Sequence, residues 1–122
     1  MTKYNEIDKE LVDIIQLLNE GVPAIKTKYS CFGHEQNSKF YIMFDDNVNE
    51  ELLLEWFKGF TKFNITYNGR FLLRNWYCWN DMPNNAKFVS NWVVEFSGMG
   101  SERSRLVHEL VWYTTEFMDS KL

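Results

Sequence analysis

The chain has 122 residues, 45% hydrophobic and 25% charged, and its thirteen basic and seventeen acidic side chains leave a net charge of -4. This composition excludes intrinsic disorder, and no uncharged apolar run approaches the ~20 residues of a membrane span. The acidic balance argues against duplex nucleic acid held by counterion release, but it leaves room for a small, locally cationic ligand pocket.

The first periodic segment runs from Tyr4 to Asn19, where Ile7, Leu11, Ile14, Ile15 and Leu18 follow the rhythm of an amphipathic helix. Gly21 stands at the C-cap position, and Pro23 prevents continuation. From Ala24 to Phe32 the period changes to two, and after a polar stretch Phe40, Ile42 and Phe44 share one face of a second strand, which predicts a hairpin. Asn49 is placed to cap a second helix, with Glu50 and Glu51 at its positive end and a stripe of Leu53, Trp56, Phe57 and Phe60. Asn64–Tyr67 and Arg70–Asn80 then read as strands joined by the Asn68-Gly69 turn signal. Phe88, Trp92, Val94 and Phe96 mark a further strand, Ser101 is placed to cap, and Leu106, Leu110, Tyr113, Thr114 and Phe117 carry a final helix. The order α-β-β-α-β-β-β-α in one domain, residues 1–122, predicts the α+β class, with an antiparallel or mixed sheet and its helices on one face. No basic segment leading into an apolar one opens the chain, so a cytoplasmic location is expected.

Aromatic residues reach 17%. They serve either to enlarge the core of a small domain or to line a pocket or oligomer interface. One sheet face left bare by the helices, together with this surplus, leads to the expectation of a homodimer.

Thr27-Lys28-Tyr29-Ser30-Cys31-Phe32-Gly33-His34 is the most distinctive stretch. The pattern Thr27-x-x-Ser30-Cys31-x-Gly33-His34, between an amphipathic helix and an aromatic-rich strand, resembles small proteins of Firmicutes phages and prophages. The likeness covers about the first 45 residues and implies a phage-type protein of a group whose functions are mostly unassigned, with anti-defence one role open to it. A weaker likeness joins Ser30-Cys31-x-Gly33 to the Ser-Cys-Ser-Gly-Arg strand end of wybutosine-synthesis proteins of the TYW three type. Phe32 and His34 depart from that pattern, so methyl transfer is not carried over.

Cys31 and His34 could form a nucleophile and base, but the local sequence offers no group to orient the imidazole. Cys31, His34, Cys78 and His108 have the donor types of a zinc site without the spacing of one, so no metal is expected. A Cys31–Cys78 disulfide is not expected in a reducing cytoplasm. Thr27, Ser30, Cys31 and His34 are therefore read as a polar pocket wall without covalent chemistry.

Strand alternation places Arg70, Arg74 and Trp76 on one face, two guanidinium forks beside an indole. The plainer reading pairs these arginines with carboxylates such as Asp45 or Glu95. Arg103 and Arg105 follow Ser97-Gly98-Met99-Gly100 at a helix start, so all four arginines of the chain fall in these two regions. If the regions converge, they make a phosphate site in an acidic protein. The resulting expectation is a phage-type binding protein that sequesters a phosphorylated nucleotide immune signal, with no catalysis and no cofactor. The alternatives are an inhibitor that binds a host defence protein directly, in the manner of an anti-CRISPR, and a minor nucleotide- or RNA-modifying enzyme.

Overall fold

The helical rhythm of the first segment resolves into a 3-10 turn, Lys9–Leu11, followed by helix α1, Val12–Glu20. Leu11, Ile14 and Leu18 are fully buried, and Gly21 is the C-cap. The computed structural model describes residues 7–34, 39–67, 69–79 and 88–122, with backbone alone at 76–79, 88 and 89. The chain continues through β1 (Thr27–Cys31), β2 (Lys39–Phe44), α2 (Glu50–Phe63), β3 (Phe71–Trp79), β4 (Phe88–Ser97) and α3 (Gly100–Asp119). The turn segment 80–87 and the start of the first periodic segment lie outside the described residues.

The four strands form one antiparallel sheet in the order β1-β2-β4-β3. Phe40 stands opposite Phe96 and Ile42 opposite Val94, while Phe71 and Leu73 meet the same two β4 residues from the other side. These side chains, with Phe44, make the inward face of the sheet and join one core cluster with the buried stripes of all three helices. The class is α+β, with the helices on one face, as the element order predicts. A register shift between Thr27 and Tyr29 breaks the regularity of β1. No helix among the described residues is long and apolar enough to cross a membrane.

Asn49 caps α2 as its position predicts, its Oδ1 accepting from the Leu52 N–H at 3.2 Å. Two local readings change. Ile65–Tyr67 is a 3-10 turn and not a strand. Asn64 ends α2 there by donating its side-chain amide to the Phe60 carbonyl at 2.9 Å, and Tyr67 turns into the core while Ile65 stays 72% exposed. The third helix starts two residues early, with Met99 and not Ser101 as its cap, so Ser101 lies within its first turn; Glu102 Oε1 accepts from the Met99 N–H at 3.1 Å.

Helices α2 and α3 meet at Trp56, which is fully buried. Its indole N–H donates to Thr114 Oγ1 at 2.9 Å, and its carbonyl accepts from the Tyr113 hydroxyl at 2.9 Å. Gly59 makes that second bond possible, because a Cβ there would lie 2.0 Å from the Tyr113 oxygen. Replacing an interior helical glycine by alanine ordinarily gains about 1 kcal/mol. Here Gly59→Ala displaces the tyrosine, so urea melts should show a net loss of stability.

Burial pushes the hydroxyls of Tyr67 and Tyr113 up to about 12, with Glu109 adding to the effect at Tyr67 and Glu55 at Tyr113. Unfolded tyrosine releases its proton near 10, so both groups contribute fully below that pH and lose their contribution as pH rises from about 10 to about 12. Denaturant melts at about pH 9 and about pH 11 should reveal this alkaline loss, and Tyr113→Phe should reduce it.

Candidate functional site

The residues singled out by sequence fall into three places. The first is the end of β1. Thr27 is tied to α1: its N–H donates to Asn19 Oδ1 at 2.9 Å, and its hydroxyl accepts from Asn19 Nδ2 at 2.8 Å. Ser30 stands in register with the buried Ile42 on the inward side, whereas Cys31 stands opposite Tyr41 on the outward side. Thr27 and Ser30 therefore do not share a wall with Cys31 and His34. Gly33, at φ 97, turns the chain after β1, in a backbone conformation that side-chain-bearing residues seldom adopt. That turn brings the exposed His34 back toward Cys31, whose thiol is free.

Asp8 completes this corner. Its Oδ2 accepts from the Phe32 N–H at 2.9 Å and lies 3.8 Å from His34 Nε2. One donor atom from each of Asp8, Cys31 and His34 lies within 4.8 Å of the other two. His108 is not part of the group, and the Cys78 side chain lies outside the described residues. Sequence reasoning missed Asp8 because it precedes the first helical turn, where an acid reads as an ordinary helix-start residue.

The second place is the start of α3. Arg70 precedes β3 and turns to the helix side, its Nη1 2.9 Å from Glu102 Oε2 and its guanidinium 5.2 Å from the Phe96 ring centre. It does not share the Arg74 face, because strand alternation begins only at Phe71. Arg103 is 3% exposed, donates to the Gly98 carbonyl at 2.7 Å, and lies over the Phe32 ring at 5.3 Å. Arg105 points away and pairs with Glu109 one turn on at 3.2 Å. Arg70 and then the Met99 N–H hold the Glu102 carboxyl below its ordinary range.

The third place is the outward sheet face. Arg74 Nε lies 2.7 Å from Glu95 Oε1, and Lys39 Nζ lies 3.8 Å from Glu95 Oε2. Two cations from β2 and β3 thus flank one carboxylate from β4. Tyr41 faces Glu95 in register, Tyr29 faces Met43, and Leu72 lies on the far side of Glu95. Tyr29 is 65% exposed, whereas Val93 is buried in the middle of the face. Trp76 stands opposite Asn91 in β3, but its side chain lies outside the described residues. Elsewhere, a shallow groove of about 410 Å³ between α1 and α3 is lined by Asp13, Leu17, Glu20 and Val111, an acidic surface ill suited to phosphate.

The fold and these three places define a small α+β protein with one sheet face covered by the helices and one left uncovered by the described residues. The chain belongs to the YoqC prophage protein family, which it matches over residues 2–115. No curated protein and no solved structure matches it. A prophage protein is what the motif resemblance implies.

Arg70 and Glu102 are each about 40% exposed, so solvent screens their ion pair. Arg70→Ala should shift stability by less than about 1 kcal/mol. NMR titration should show the Glu102 carboxyl returning toward its ordinary range, because its largest stabilising contact is gone.

Proposed function

We propose that this prophage protein is a non-catalytic anti-defence binding protein of the host cytoplasm, and that it captures a phosphorylated nucleotide on its uncovered sheet face. The observation that carries the reading is the Lys39–Glu95–Arg74 row, where two cations share one carboxylate and leave net positive charge. The same face holds Tyr29 and Tyr41. A sheet-borne aromatic ring gives a base a stacking surface worth ~1–3 kcal/mol, and an arginine fork suits phosphate. On this reading Arg74 alone of the four arginines is assigned as a phosphate anchor, since Arg70 pairs with Glu102, Arg103 with the Gly98 carbonyl and Arg105 with Glu109. A homodimer that brings two such faces together would enclose the ligand and add the concavity that one flat sheet lacks. Leu72 and Met43, apolar members of the same face, support a second reading in which it docks directly on a host defence protein.

Calorimetry against cyclic dinucleotides, cyclic trinucleotides and cyclic ADP-ribose isomers tests the reading, with light scattering for the dimer. One ligand class should bind and be recovered intact after denaturation. Arg74→Ala should then weaken binding ten- to a hundredfold, the equivalent of about 1.5–3 kcal/mol for a charge-assisted contact. Glu95→Gln should strengthen it, because both cations are released to the ligand. Silence across the whole panel overturns nucleotide capture and favours the protein-binding inhibitor.

A further inference from the structure

We propose that Asp8, Cys31 and His34 form a binding site for one borderline-soft divalent cation, with zinc the best match. This site is separate from the sheet-face row and does not depend on nucleotide binding. Its donors are a carboxylate, a thiol and an imidazole, a mixture that zinc accepts and that magnesium or calcium does not favour.

Geometry separates a chelating site from a nucleophile relay built of the same three residues. In a relay the imidazole lies between thiol and carboxylate, one ring nitrogen toward each, which holds those two groups roughly 6–7 Å apart. Here the thiol sulfur and the Asp8 oxygen lie within 4.8 Å of each other, as both do of the imidazole nitrogen. Three donors drawn this close together suit a coordination shell better than a relay. Tetrahedral zinc with ordinary bond lengths sets its ligand atoms about 3.4–3.6 Å apart. The Asp8–His34 separation of 3.8 Å is already close to that value.

The surroundings suit the role. The Phe32 N–H fixes Asp8 Oδ2 at 2.9 Å, an outer contact of the kind that orients a ligating carboxylate. Gly33 supplies the sharp turn that lets Cys31 and His34 chelate from one strand end. His34 is 75% exposed at its side chain, so its ring can move toward the other two donors without disturbing the core. On binding, the cation displaces the Cys31 thiol proton to solvent, and the sulfur–metal bond forms in its place. Three protein ligands leave a fourth position for water or an incoming donor. The bound metal would tie the residue before the first helical turn to the end of β1.

The test uses the full chain without an affinity tag, titrated with cobalt(II) as a spectroscopic probe and then with zinc. One equivalent of cobalt should produce tetrahedral d–d bands and a thiolate-to-cobalt charge-transfer band, and zinc should abolish both. Cys31→Ser, nearly isosteric, should remove the charge-transfer band. His34→Ala and Asp8→Asn should each weaken zinc at least tenfold, with circular dichroism confirming that every variant is folded. Mass spectrometry of the Cys31 peptide should show slower alkylation by iodoacetamide once zinc is added. The proposal is overturned if the native chain gives no thiolate–cobalt band at one equivalent. It is equally overturned if the His34 and Asp8 variants bind as tightly as the native chain, since the cysteine would then act alone.

Discussion

The structure depends on how Trp56 is satisfied. A buried indole carries a large apolar area and one donor that has to find a partner. The donor goes to Thr114 and the ring meets Phe44 edge-on, with ring centres 6.0 Å apart. One side chain therefore joins α2, α3 and the sheet. The Tyr113 bond to the Trp56 carbonyl repeats the link one residue away. Much of the aromatic surplus is used here, as Phe60 stacks with Tyr67 and meets Phe71 and Tyr113 edge-on.

Because the aromatics are concentrated on the helix side, the outward face is free to carry charge. Glu95 sits between its two cations at 17% side-chain exposure, dry enough for its partners to matter. A carboxylate so little exposed is retained only when paired, and Arg74 and Lys39 supply that pairing across three strands. Under the proposed function these structural partners of Glu95 would take on recognition as well. Any ligand anion on this face competes with Glu95 for them.

Long periodic elements were the legible part of the sequence. The Leu53–Trp56–Phe60 stripe, the Asn49 cap and the Phe40–Ile42–Phe44 alternation each carry a local signal that the tertiary structure keeps. Arg70 was not legible, because whether it belonged to the strand depended on where β3 begins, a boundary set by Glu102 thirty-two residues away. Asn64–Tyr67 looked like a strand by composition, yet its backbone is used to end α2. The Arg74–Glu95 pair could be foreseen as one of two readings. Asp8 could not, since its meaning comes from a contact with Phe32 across twenty-four residues.

The two edges of the sheet differ in kind. At β1 the backbone is interrupted by the register shift between Thr27 and Tyr29, and the Phe32 N–H beyond its end is taken by Asp8. At β3 nine residues pair with β4 in unbroken register, so the outer side of Phe71–Trp79 runs long and regular. A strand of that kind is a template for pairing with another chain, and shifts and charges along an edge are what discourage it. Exposed Arg74 is the one charge that β3 carries, which makes it a gatekeeper against aggregation. A neutral residue at that position would leave the long, regular backbone of this edge with no charge to discourage a second strand, with self-association at high concentration as the physical cost.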